Sequence, residues 1–177
     1  MNWKWGGQMN NKCIYYVEGS CEQQLIAALK ETPERLIPGK VKVFNVIQNV
    51  IPKSQLLSIQ AGTTVVLVFD TDVFQVSNII KNLELFERYC SNLRIIFLPQ
   101  VMNLEDELVR CTDVKTVTEL TKSTGIKNFK KDFCKLRPKD CRLMLDRTNL
   151  DYVRLWMSKI PETFSFAESN GNQIKII

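Results

Sequence analysis

The chain predicts an α/β fold, a mostly parallel four-stranded sheet flanked by helices with a helical extension after it. Three observations carry that prediction. Four short apolar runs rich in β-branched and aromatic residues lie in the first hundred positions, at 13–17 (CIYYV), 41–47 (VKVFNVI), 64–69 (TVVLVF) and 93–98 (LRIIFL). Each has the length of a buried parallel strand and few polar interruptions. Helix-like segments separate them, and strand–helix alternation is what parallel pairing requires, because each crossover must return the chain to the same end of the sheet. After Pro99 the strand pattern stops and helical patterns take over.

Taken in order, residues 1–12 (MNWKWGGQMNNK) read as a flexible tail, 13–100 as the α/β core and 101–177 as a helical extension packed on that core. The first strand ends at Glu18-Gly19, and the helix that follows, CEQQLIAALK, places Leu25, Ile26 and Leu29 on one face. Residues 52–59 (PKSQLLSI) predict a short helix opened by Pro52. Val76, Ile79, Ile80 and Leu83 follow the i, i+3, i+4, i+7 spacing of an amphipathic helix between the third and fourth strands. Beyond residue 100, NLEDELVRC, VKTVTELTK, IKNFKKDFCKL and NLDYVRLWMSKI all read as helices, the last with Val153, Trp156 and Ile160 on one side. The closing ESNGNQIKII is expected to add a short strand.

Composition narrows the chemistry. At 45% hydrophobic and 24% charged residues the chain has the balance of a soluble globular protein. No run approaches the roughly 20 apolar residues of a membrane span, and the first twelve residues lack the apolar core of a secretory signal. A cytoplasmic protein without membrane contact is therefore expected. There is no histidine, which removes Ser-His-Asp and Cys-His catalysis. The six cysteines contain no Cys-x-x-Cys pair, so a zinc site is not expected and the thiols read as buried and free. Carboxylates, lysines, hydroxyls and the metals they recruit are left to carry any reaction.

The net charge of +5 is uneven. Lys122, Lys127, Lys130, Lys131, Lys135, Arg137, Lys139 and Arg142 are opposed in their stretch only by Asp132 and Asp140, so that stretch exceeds the whole chain in net positive charge. A solvated helix face is the ordinary reading of such a run. Beside an acidic cluster it also suits a polyanion. Phe129 and Phe133, spaced i, i+4 within it, read as the residues that dock the helix. Trp156 reads as core, and Trp3 and Trp5 as tail residues.

In an open parallel sheet, ligands bind beyond the carboxyl ends of the strands. Glu18 ends the first predicted strand and Asp70 the third, so both fall on that edge. Asp70 and Asp72, two apart in extended chain, share a side. Glu22 falls in the first turn of the following helix, where the dipole favours an anion. Carboxylates crowded in this way repel one another unless a counter-charge joins them. Mg²⁺ or Mn²⁺ fits an all-oxygen donor set.

The stretches YYVEGSCE and VVLVFDTD resemble the toprim domain, whose pattern is a Glu-Gly after the first strand and an Asp-x-Asp after the third. The resemblance spans roughly residues 13–100 and implies a toprim-like, Rossmann-like core. It implies Glu18 as general acid/base or metal ligand and Asp70 and Asp72 as Mg²⁺ ligands. The form Glu18-Gly-x-x-Glu22 is most similar to the overcoming-lysogeny-defect nucleases and to small stand-alone toprim proteins linked to phage defence. In those a later acidic residue completes a two-metal site, here Glu105 first, then Asp106 or Glu107. A lysine assists, with Lys127, Lys130 and Lys131 as candidates and Lys131 taken as the catalytic choice. The chain departs from many toprim domains in having Gln75 where a glycine follows the Asp-x-Asp.

These readings lead to an expected divalent-metal-dependent nuclease acting on DNA or RNA with two Mg²⁺ or Mn²⁺ ions. The basic stretch would grip the nucleic-acid backbone. The alternative is a non-catalytic toprim module that binds nucleic acid or a separately encoded ATPase. A haloacid-dehalogenase-type phosphatase also uses Asp-x-Asp, but has Thr or Val where this chain has Phe74, and gives Glu18-Gly19 no role.

Overall fold

The computed structural model describes residues 12–176. Trp3 and Trp5, and the expected tail at 1–11, lie outside the described residues. The chain forms an α/β fold around a four-stranded, all-parallel sheet: β1 (Cys13–Val17), β2 (Lys40–Val43), β3 (Thr64–Asp70) and β4 (Arg94–Gln100), in the order β2-β1-β3-β4. That arrangement is Rossmann-like and agrees with a toprim-like core. Helices α1 (Ser20–Leu29), α2 (Lys53–Leu57) and α3 (Ser77–Tyr89) make the crossovers. The helices α4 (Leu104–Arg110), α5 (Thr118–Thr121), α6 (Ile126–Lys135) and α7 (Pro138–Arg147) follow the sheet.

The two sheet faces carry separate cores, and the strand alternation explains the division. Tyr15, Val17, Val66, Val68, Ile96 and Leu98 pack beneath α1 and α4–α7, joined by Leu25, Leu108, Phe129, Phe133 and Leu145. Tyr16, Val65, Leu67, Phe69, Ile95 and Phe97 pack beneath α2 and α3, joined by Leu56, Ile79, Leu83 and Phe86. Phe164 and Ala167 join this second core, whereas helices α4–α7 share the first with β1, β3 and β4 on the opposite face. There Phe129 and Phe133 are fully buried and pack with ring centroids 5.2 Å apart and planes tilted by 39°, which fixes α6 on that face. Truncating a buried phenylalanine costs about 3–5 kcal/mol.

Several boundaries differ from the sequence reading. The second strand stops at Val43 instead of running to residue 47, because the Asn45 side chain accepts the Ile47 and Gln48 amides at 3.0 and 2.9 Å and turns the chain. The segment 149–160 forms turns, not a helix. Asp151 Oδ1 takes the Val153 and Arg154 amides, and Trp156 sits in the left-handed region at φ 60. The Trp156 amide donates to Glu107 Oε1 at 2.6 Å, while Lys175 Nζ donates to the Val153 and Leu155 carbonyls. Backbone groups that a helix would pair internally are thereby taken by side chains from elsewhere in the chain. Trp156 is nonetheless core, at 0% exposure. The closing segment contributes one antiparallel bridge, Leu36 to Lys175, and no full strand. Among the described residues no helix is long and apolar enough to cross a membrane.

Candidate active site

The strand order places a topological switch between β1 and β3. The chain moves outward from β1 to β2, then returns to the other side of β1 for β3 and β4. In doubly wound sheets the ligand crevice opens at this point, beyond the carboxyl ends of the two strands that flank it. Glu18 follows β1 directly and Asp70 is the last residue of β3. Their meeting is direct, for the Asp70 amide donates to Glu18 Oε2 at 3.1 Å.

Glu22 joins them from the first turn of α1 and is 6% exposed. Gly19 caps that helix with φ −148 and ψ −171, an extended conformation open to any residue, so no tight turn demands glycine. Space does. A Cβ at position 19 would lie 3.1 Å from Glu22 Oε2, and the missing side chain leaves room for the Glu22 carboxylate to fold back over the helix start. There the Glu22 and Gly19 amides favour its ionised form.

Glu105 enters from the first turn of α4, whose start is capped by the Asn103 side chain accepting the Asp106 amide at 2.9 Å. Of the three acidic candidates in this turn, Glu105 is the one beside the cluster. Asp106 is exposed. Glu107 is fully buried and structural, holding Arg110 at 2.5 Å as well as the Trp156 amide.

The electrostatics follow from crowding and burial. Asp70 is pushed up to about 9, first by burial and then by Glu18, Glu22, Asp72 and Glu105. Its Oδ1 is buried with no hydrogen-bond partner among the described residues. Glu18 is raised by burial and by Asp72, opposed by the Asp70 amide, the Asn45 side chain and Lys130. Glu22 is raised by burial, Glu18 and Glu105. One cation answers them directly. Lys130 Nζ lies 2.8 Å from Glu105 Oε1, and its own pKa is raised chiefly by that bond.

Lys130, and not Lys131, is the lysine that pairs with a carboxylate of the cluster. Lys131, one residue on and so rotated about 100° around α6, is exposed and forms no ion pair among the described residues. Lys122, Lys127, Lys135, Arg137 and Lys139 are exposed and available to a polyanion, although Arg137 also pairs with Asp140 at 2.6 Å. Arg142 is not available. It is 3% exposed and is consumed by Asp146 at 2.9 Å and the Pro33 carbonyl at 3.1 Å.

Two residues of the site escaped the sequence reading. Asn45, which ends β2, also supports Glu18. Gln100 ends β4 in register with Asp70, is fully buried, and leaves both its side-chain oxygen and nitrogen unpartnered. Its only sequence signal is a polar residue closing an apolar run after Pro99. Thr71 ties the two strand ends together, its amide bonding the Gln100 and Met102 carbonyls at 3.1 and 3.0 Å.

Among the described residues no three carboxylates or thiols are closed around one point as a finished metal cage. The donor chemistry nevertheless fits a hard divalent cation. The donors are all oxygen, Lys130 offsets only part of their charge, and Asp70 Oδ1 is buried without a hydrogen-bond partner among the described residues. Compared with known proteins, the chain matches no family model, no curated protein and no solved structure.

Proposed function

We propose that the chain is a divalent-metal-dependent nuclease that hydrolyses phosphodiester bonds of DNA or RNA. The supporting observation is Asp70, a carboxylate with a buried oxygen unpartnered among the described residues, held toward its protonated form first by burial and then by four other carboxylates at a sheet switch point. A side chain so disfavoured is retained where a ligand relieves it. Glu18, Glu22, Asp70, Asp72 and Glu105 would hold Mg²⁺ or Mn²⁺. Such a cation, when bound, polarises a phosphoryl oxygen and lowers the pKa of water.

The residues of the chain have separable parts. Glu18, oriented by the Asp70 amide and raised toward neutrality, can take or return a proton near the scissile bond. Lys130 sets a positive charge beside Glu105, where the phosphate would be drawn in. Lys127, one turn before it on α6, extends that charge along the helix, and Lys122, Lys131, Lys135 and Lys139 add sequence-independent attraction. Phage defence and a separately encoded ATPase as partner belong to the same proposal on the toprim resemblance alone, and a cytoplasmic setting belongs to it on the hydropathy of the sequence.

The test is cleavage of plasmid DNA and of structured RNA in Mg²⁺ and in Mn²⁺ by the wild-type chain and by Asp70→Ala. Cleavage that the variant loses supports the nuclease. Binding of nucleic acid without cleavage above the variant's level overturns it and leaves a non-catalytic module.

A further inference from the structure

Cys21 and Cys134 are 113 residues apart in sequence, yet their sulfurs lie 3.2 Å apart. Cys21 is in the first turn of α1, one residue before Glu22. Cys134 is in the last turn of α6, four residues after Lys130. Cys21 is 8% exposed and Cys134 is partly exposed. The remaining sulfur contacts are weak ones, Cys21 to the Lys130 carbonyl at 3.8 Å and Cys134 to Ser20 Oγ at 3.4 Å. A disulfide needs the sulfurs at about 2.05 Å, so closure asks for a shift of roughly 1 Å between two helices already packed together.

We propose that Cys21 and Cys134 are a reversible dithiol–disulfide site, oxidised by a hydroperoxide. The accessible Cys134 sulfur reacts first, taking the terminal oxygen of the peroxide to give a sulfenic acid and releasing the alcohol, or water from hydrogen peroxide. The Cys21 sulfur then attacks the sulfenic sulfur. The S–O bond breaks, the hydroxyl leaves with the Cys21 proton as water, and the S–S bond forms. Two thiols lose two electrons in all and the peroxide O–O bond gains them. An accessible sulfur beside a resolving thiol is the arrangement that redox-responsive cysteines share. The bond ties the helix of Glu22 to the helix of Lys130, so oxidation limits how far that lysine can withdraw from the carboxylates. The inference stands on the sulfur geometry and is independent of the nuclease reading.

The experiment oxidises the reduced full chain with a slight excess of hydrogen peroxide, alkylates free thiols and maps the peptides. The expected result is a Cys21–Cys134 link, loss of two alkylatable thiols and full reversal by dithiothreitol. The melting temperature of the oxidised chain should rise by about 5–15 °C, since the closed loop exceeds 100 residues. In Cys21→Ser the Cys134 sulfenic acid should persist and be trapped by dimedone, and in Cys134→Ser the Cys21 thiol should survive the same dose. Three results overturn the proposal: both thiols still alkylated after peroxide, a link from Cys134 to its other sulfur neighbour Cys141, or Cys134 carried to sulfinic acid in the wild type with Cys21 free. If either variant fails to fold, the wild-type peptide map decides alone.

Discussion

Asp70→Asn is expected to make the protein more stable, and the reason can be worked from the site. In the folded chain Asp70 is pushed up to about 9 from an ordinary 3.8 by burial and by Glu18, Glu22, Asp72 and Glu105. Between those values the folded state holds a proton that the unfolded chain has released. The stability this provides is fully present below pH 3.8 and is lost as the pH rises toward 9. Each unit of difference is worth about 1.4 kcal/mol, which bounds the loss at ~7 kcal/mol. Asparagine removes the titration but leaves a buried amide imperfectly paired, at a cost of about 1–3 kcal/mol. A net gain of at least ~2 kcal/mol at pH 8 remains, or about 4–8 °C in melting temperature for a chain of this size. The assay is thermal denaturation of wild type and variant in a chelating buffer from pH 5 to 9. The difference should grow with pH, and added Mg²⁺ or Mn²⁺ should stabilise the wild type alone. A variant that melts lower than wild type, or a difference that does not change with pH, refutes the reasoning.

Gln100→Leu removes two buried unpartnered polar atoms and should raise the melting temperature in chelating buffer by a few degrees, at about 1–3 kcal/mol for an unmet buried group; a lower value would mean that the amide is satisfied by water. Lys130→Met should slow cleavage more than about tenfold while Lys131→Met has the smaller effect, because Lys130 pairs with Glu105 and Lys131 forms no ion pair among the described residues; single-turnover rates on one substrate decide between them. Phe74 is 94% exposed on the loop that carries Asp72, so Phe74→Ala should leave melting unchanged and weaken binding of a single-stranded oligonucleotide by about tenfold through lost base stacking. Fluorescence anisotropy in chelating buffer reads the last of these without any cleavage.

How much of this was readable in the sequence depends on the range of the interactions concerned. The first strand, α1 and α3 were readable because their hydrophobic spacing is local and the tertiary contacts agree with it. Residues 149–160 were misread because the spacing of Val153, Trp156 and Ile160 mimics a helix, while the contacts that override it come from Glu107 and Lys175, dozens and tens of residues away. The second strand was read too long for a smaller reason. Asn45 lies inside an apolar run, and its side chain accepts two amides and ends the strand. Helix α7 carries little apolar periodicity for a sequence reading to detect, since charged residues dominate it while Cys141 and Leu145 do the packing.

The carboxylates were readable in identity but not in arrangement. Four acidic positions follow from strand ends and a first helical turn, yet only the order β2-β1-β3-β4 brings the ends of β1 and β3 side by side. With β2 between them, Glu18 would stand roughly 10 Å from the Asp70 amide across two strand spacings, too far for the 3.1 Å bond observed. Sheet order is a long-range property that no local pattern encodes, and Gln100 and Lys130 depend on it equally. One enters as the register partner of Asp70 and the other through the docking of Phe129 and Phe133. The choice between Lys130 and Lys131 was therefore open in the sequence. The face of α6 that the two phenylalanines bury places Lys130 beside Glu105 and leaves Lys131, one residue on, without that contact.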